Sequence, residues 1–254
     1  MNRSAFYASV RQRASGVFGT SLSQAQVEGI EAILDEAERR GTSIFHLAAI
    51  LSEVYHETGG QMQPVKETVY AHSKDRNPSD AMVIKRLDAA YAKGQLPWVS
   101  KPYWREGWFG RGLIQITHKT NYDKLGLTKA SALDLQTSVR ATFDGMEQGL
   151  FTGRKLSDYD YFVTRNPDVP GYKYYASRAI VNGDTAANGA MIAGYAKAFE
   201  KALRNAGYTA GAKADAPPAK PAPAPAEPVT PVSRGNWLSA LVAALLKLLK
   251  GNKA

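Results

Sequence analysis

Up to Gly207, apolar residues recur mostly at helical spacing, and they mark out a mainly helical chain. Val27, Ile30, Leu34 and Ala37 share one face, opened by a Ser23 to Gln26 capping box inside a Leu22 to Val27 staple and closed at Gly41. Leu47, Ile50, Leu51 and Val54 form a second stripe between Ile44 and Gly60, capped at Thr42 or Ser43 and stopped by Gly59 and Gly60. Val83, Leu87 and Tyr91 predict a third helix from Ala81 to Ala92, and the pattern returns from Ser131 to Phe151 and from Thr185 to Asn205. Alternation marks Leu113 to Thr117, which predicts a short strand with Ile114 and Ile116 on one face and Gln115 and Thr117 on the other.

The segments between these elements carry much of the candidate chemistry. Gln61 to Asp80 is polar, holds Pro64 and Pro78, and predicts a loop with one short element. Gly94 to Gly107, with Trp108 just beyond, is rich in turns and aromatics; Trp98, Tyr103, Trp104 and Trp108 either line a sugar cleft or fill a core. Ser177 to Gly183 is an apolar run ending in a turn that either presents Asn182 to a cleft or is only a turn.

Past Gly207 the composition changes. Seven of the thirteen prolines lie between Pro217 and Pro231, a semi-rigid extended spacer. Trp237 to Lys250 is then apolar on nearly every side, yet too short for a bilayer crossing, which takes about 20 residues. With Trp237 at one end and Lys247, Lys250 and Lys253 at the other, it reads as a helix lying in an anionic membrane surface; a helix docked on protein is the alternative. Three parts are therefore expected: residues 1–207, a linker over 208–235, and a cationic amphipathic helix over 236–254.

Charge sharpens this division. The net charge is +9, and six Lys or Arg against two acids past Gly207 leave twenty-six against twenty-one before it, so both parts are basic and suit an anionic partner. No helix carries a basic recognition stripe and no RNP-like motif is present, so nucleic acid is not the expected partner. The absence of cysteine excludes disulfides, a cysteine zinc site and a thiolate nucleophile. The four histidines have no ligand spacing, and His56-Glu57 is not followed by the second histidine of HExxH, so neither metal nor other cofactor is expected. Gly110-Arg111-Gly112 lacks the third glycine and the following helix of a phosphate loop. The N-terminal residues lack the apolar run of a signal peptide, so synthesis in the cytoplasm is expected.

Glu57 is the leading candidate for catalysis. It continues the stripe of Ile50 and Val54 to the end of its helix, where partial desolvation would raise the carboxyl pKa and let it serve as a general acid. The alternative is a solvated glutamate that only ends a helix.

Three segments in this order resemble the signatures of glycoside hydrolase family 19 chitinases and the related phage endolysins: His56 to Gly60, Phe109 to Thr117 with Asn121, and Ile180 to Gly183. The resemblance covers roughly residues 22 to 206. It implies a mainly α, lysozyme-like (α+β) fold with a small β element beside a sugar cleft, and inverting hydrolysis of β-1,4 bonds between N-acetylated sugars. It makes Glu57 the general acid and Thr117 a holder of the attacking water. His56, Tyr70, Trp108, Gln115, Asn121 and Asn182 become the substrate contacts. Inversion needs a second carboxylate roughly 6.5 to 9.5 Å away. Glu67 stands near where the phage enzymes carry an acid, with Asp75 and Asp80 as the other candidates for the base.

A cytoplasmic start, a basic charge and a cationic tail favour a monomeric endolysin that is made in a bacterial host's cytoplasm and cuts peptidoglycan after release. The tail would engage anionic membrane or lipopolysaccharide. A chitinase, a lytic transglycosylase and a non-enzymatic, membrane-active envelope binder are the competing readings.

A lone helix of about fourteen residues is marginal in water, so the tail is expected to gain order on lipid. Truncation after Gly207 should leave hydrolysis of purified peptidoglycan unchanged while reducing binding to anionic vesicles and lysis of intact cells. Equal lysis by both forms, with no helix gained by the isolated tail on vesicles, would instead identify a docking helix.

Overall fold

A computed structural model describes residues 1–67, 77–163 and 166–210. Tyr70, Asp75, the expected linker beyond residue 210 and the helix expected over 236–254 lie outside the described residues. The fold is mainly helical. Its helices are α1 (Arg3–Val10), α2 (Gln24–Arg40), α3 (Ile44–Glu57), α4 (Asp80–Ala92), α5 (Lys119–Lys124), α6 (Leu135–Gln148), α7 (Tyr174–Ser177) and α8 (Thr185–Asn205). Among the described residues the strands form two small antiparallel pairs: β1 (Val65–Lys66) with β2 (Arg111–Gly112), and β3 (Asp160–Val163) with β4 (Asn166–Tyr172). Among the described residues no helix is long and apolar enough to cross a membrane.

The core is built around α3. Ser43 caps it by accepting from the His46 amide, and Leu47, Ile50, Leu51 and Val54 are all fully buried. Its C-terminal end closes through Gly59 and Gly60, both at positive φ, where a side chain would be strained. Helix α8 packs alongside in the opposite direction. The Arg204 guanidinium lies 5.5 Å from the Phe45 ring centroid at one end, the Tyr55 and Tyr195 rings meet at 4.7 Å, and Arg178 joins Glu57 to Asp184 at the other end. Phe6 and Val10 of α1 are buried where that helix meets α8, and Arg40 at the end of α2 reaches Asp144 and Glu147 of α6. The expected Ser23–Gln26 capping box opens α2, with both of its reciprocal hydrogen bonds formed.

A smaller apolar cluster lies apart from this core. Val83, Leu87 and Ala90 of α4 pack with Leu96, Trp104 and Phe109. Trp104 is therefore core, its ring nitrogen donating to Asp88 at 2.8 Å.

The structure corrects three expectations. Leu113 to Thr117 is a turn, not a strand: Gln115 has φ +52°, and Ile116 and Arg111 exchange backbone hydrogen bonds. Every residue from Arg111 to Thr117 is buried, so burial on both sides overrides the local alternation. Gly112 sits at φ +91°, and a Cβ there would also stand 2.8 Å from the Ser138 hydroxyl and 2.9 Å from the Ala132 carbonyl, so glycine is needed on both counts. The helix expected from Ser131 begins as a short 3-10 turn and becomes α6 only after Asp134, which caps the Thr137 amide. The β3–β4 hairpin forms where no strand was expected. Tyr161 and Phe162 are exposed there, so no buried face announces it.

Two glycines test this packing. A Cβ on Gly29 would lie 1.6 Å from the Met62 carbonyl oxygen, whereas one on Gly194 meets nothing within 4 Å. Gly29→Ala is expected to destabilise by about 1 to 3 kcal/mol. Gly194→Ala, inside a regular helix, should stabilise by about 0.4 to 1 kcal/mol. Thermal or urea unfolding of the two variants measures both signs.

Candidate active site

Glu53 and Glu57 stand one turn apart on α3 and turn the same way. Between them and the start of α8 lies Arg178, fully buried in the 3-10 turn Arg178–Ile180 that follows α7. Arg178 Nη1 donates to Glu53 Oε2 at 2.5 Å, and Nε and Nη2 reach the two Asp184 oxygens at 2.6 and 3.4 Å. The same Nη1 lies 2.6 Å from Glu57 Oε1, an ion-pair contact without an aligned hydrogen bond. Asp184 occupies the N-cap of α8 but makes no side-chain cap bond, because its carboxylate is held by Arg178 and by Asn188 Nδ2 at 2.5 Å.

One guanidinium thus faces three carboxylates, a net charge of −2 if all ionise. Burial raises the Glu53 pKa to about 7 against the pull of Arg178, with Glu57 and Asp184 adding to the rise. Burial also raises the Glu57 pKa, and here too the opposing pull of Arg178 is outweighed. Glu57 has a side chain only 5 % exposed and an Oε1 without an aligned donor, a setting in which a carboxyl readily keeps its own proton. His56 beside it is held neutral: burial first, then the Arg178 charge, pushes its pKa down to about 3.

Glu67 follows β1 and is likewise buried, but its partners are neutral. Its Oε1 accepts from the Tyr103 hydroxyl at 2.6 Å and its Oε2 from the Gly110 amide at 2.9 Å, while its own amide donates to the Gly110 carbonyl at 2.7 Å. Burial pushes its pKa up to about 7, offset in part by these two hydrogen bonds and by Arg111. Asp80 is a different kind of group. It is paired with Lys66 at 2.9 Å and Arg111 at 2.7 Å, and although burial opposes them, these cations hold its pKa below the ordinary carboxylate value. Between these two, Glu67 is the carboxylate free of a cationic partner and better suited to take a proton.

The remaining candidates divide by what they touch. Gln115 is buried, and its Nε2 donates to the Val65 and Gly112 carbonyls, so it ties the β1–β2 pair to the turn. Thr117 donates to the Gln115 carbonyl at 2.9 Å, and Asn121 Nδ2 donates to the Thr117 carbonyl at 2.8 Å. Gln115 and Thr117 are thus joined through a turn rather than along a strand face. Trp108 is half-buried against Tyr122, with the Lys129 ammonium 4.5 Å from its ring centroid. Asn182 is half-buried next to the Arg178 turn, its amide donating to the Arg178 carbonyl.

Sequence reasoning missed Arg178, Glu53 and Asp184, and it named Tyr103 as a cleft aromatic without its bond to Glu67. The available signal was the placement of ionisable residues in largely apolar stretches, Glu53 in Ile50-Leu51-Ser52-Glu53-Val54 and Arg178 before Ala179-Ile180-Val181, since such groups are buried only when paired.

Arg178→Gln should expose the charge balance. At pH 8 it leaves buried carboxylates without their cation and is expected to cost about 3 to 5 kcal/mol. Groups with raised pKa favour folding below their ordinary value of 4.5 and lose that contribution as pH rises through about 7, so the penalty should shrink toward pH 5. Melting temperatures of variant and wild type at both pH values measure this, and an equal loss at each would rule out an electrostatic origin.

Comparison with protein-family models, with curated proteins and with solved structures finds no match for this chain, so its function is argued from the geometry above.

Proposed function

We propose that this protein is an endolysin: a lysozyme-like glycoside hydrolase, similar to family 19, that cuts β-1,4 bonds of bacterial peptidoglycan with inversion. The observation that carries this reading is the presence of two buried carboxyls with raised pKa, ten residues apart in the chain and held in opposite ways. Glu57, in a crowd of negative charge around one arginine, is the acid that protonates the leaving oxygen. Glu67, anchored by Tyr103 and Gly110, is the base that takes a proton from the attacking water.

Thr117 contributes a hydroxyl whose proton is committed to the Gln115 carbonyl, leaving its oxygen to accept from that water. A second carboxyl supports hydrolysis over lytic transglycosylation, which needs one acid and no water. The basic charge and the lysine-bearing tail suit the anionic wall and membrane of a bacterium, which the protein would reach after release from its host's cytoplasm.

Glu57→Gln is expected to abolish clearing of purified peptidoglycan while leaving helix content unchanged. Glu67→Gln should lower turnover by about 10² to 10⁴, with partial recovery in azide, a small anion that replaces water when its activator is missing. Proton NMR of fresh products should show the α-anomer first. Undiminished activity in Glu57→Gln would remove this mechanism.

A further inference from the structure

A shallow cavity of about 440 Å³ opens between the β3–β4 hairpin, α7 and α8. Its hairpin is tied to the opposite end of α3 from the proposed acid: Asp160 at the base of the hairpin holds His46 near the start of that helix, while Glu57 ends it. Eleven residues of helix separate the two, or roughly 16 Å.

The floor of the cavity is fixed. Tyr174 donates to Glu200 at 2.9 Å and packs against Tyr172, ring centroids 5.0 Å apart. Two further rings are presented outward. Tyr161 lies against its cross-strand partner Gly171, where a Cβ would stand 2.5 Å from the ring, yet 41 % of the residue is exposed; Tyr175 on α7 is 50 % exposed. Lys173 and Lys197 are exposed beside them, and neither has an acidic partner among the described residues. The acids near them are already engaged, Glu200 by Arg204 and Tyr174, and Asp160 by His46.

Open aromatic rings flanked by ammonium groups that pair with no acid among the described residues match a polymer with apolar sugar faces and regularly spaced carboxylates. Resting on the peptidoglycan reading above, we propose that this cavity is a second glycan-binding site: Tyr161 and Tyr175 stack on sugar rings, and Lys173 and Lys197 pair with carboxylates on the muramyl residues or their peptides. It holds the strand while Glu57 and Glu67 act on a bond elsewhere along it.

The test uses the full chain carrying Glu57→Gln, so that the polymer survives, and measures retention on purified sacculi. Adding Lys173→Glu with Lys197→Glu, or Tyr161→Ala with Tyr175→Ala, should each weaken retention about tenfold without a change in melting temperature. The effect of the lysine pair should fade in about 1 M salt, where charges are screened within a few ångströms, and that of the tyrosine pair should persist. A soluble muramyl disaccharide-peptide should shift the Tyr161 and Tyr175 ring resonances at much lower concentration than a neutral N-acetylglucosamine oligomer, which offers the stacking without the carboxylates.

Undiminished retention with all four substitutions overturns the site. So does equal binding of the neutral oligomer, or a loss seen on anionic phosphatidylglycerol vesicles and not on sacculi. If the Glu57→Gln parent is not retained on sacculi at all, the peptidoglycan reading fails and this site with it. The lysines are exposed, so their pair decides the matter even if the tyrosine pair disturbs folding.

Discussion

A guanidinium without access to water, Arg178, is the contact on which the candidate active site depends. It can remain buried because Glu53, Glu57 and Asp184 surround it, and it brings together three elements that are distant in sequence: the end of α3, the turn after α7 and the start of α8. Buried ion pairs add little net stability, because desolvating each charge costs about as much as the attraction returns. What they add here is position. The last turn of α3 cannot rotate without stranding a charge, so Glu57 is held in a single setting.

The same crowding sets protonation. Three acids cannot all ionise around one cation in a dry interior. Asp184 takes the paired contact with Nε and Nη2, while Glu53 and Glu57 compete for Nη1 and both have raised pKa values. Glu67 has its pKa raised by another route. It is buried and accepts from neutral donors, and the nearby Arg111 lowers that pKa only in part because its guanidinium pairs directly with Asp80. The Glu57 carboxyl is raised within a crowd of competing charges around one arginine, and the Glu67 carboxyl by burial among neutral donors.

Much of the framework was legible in the sequence because it rests on local rules. The Ser23–Gln26 capping box, the 44–57 helix with its buried stripe, and the helix over 185–205 are determined by spacing, caps and glycine stops that act over a few residues. The burial of the Glu57 side chain was legible on the same ground, since it continues a stripe that had to face the core. The strand expected at 113–117 shows the limit of such rules: alternation predicts a half-exposed face only where one face meets water, and this turn has none.

Tertiary structure alone decided the partners. Nothing local distinguishes Glu67, paired with Tyr103 and Gly110, from Asp80, paired with two cations, because those partners lie between 14 and 43 residues away. Nor does sequence spacing reveal that Arg178 meets Glu53 across 125 residues, or that Lys173 and Lys197 share a cavity with Tyr161. Local spacing and caps in the sequence were enough to place α2, α3, α4 and α8 and their buried stripes, and to show that a basic, cysteine-free chain must be held by packing. The fold decided which charges meet inside it, because pairing and desolvation depend on distance in space, and a helix or turn constrains that only for its nearest neighbours.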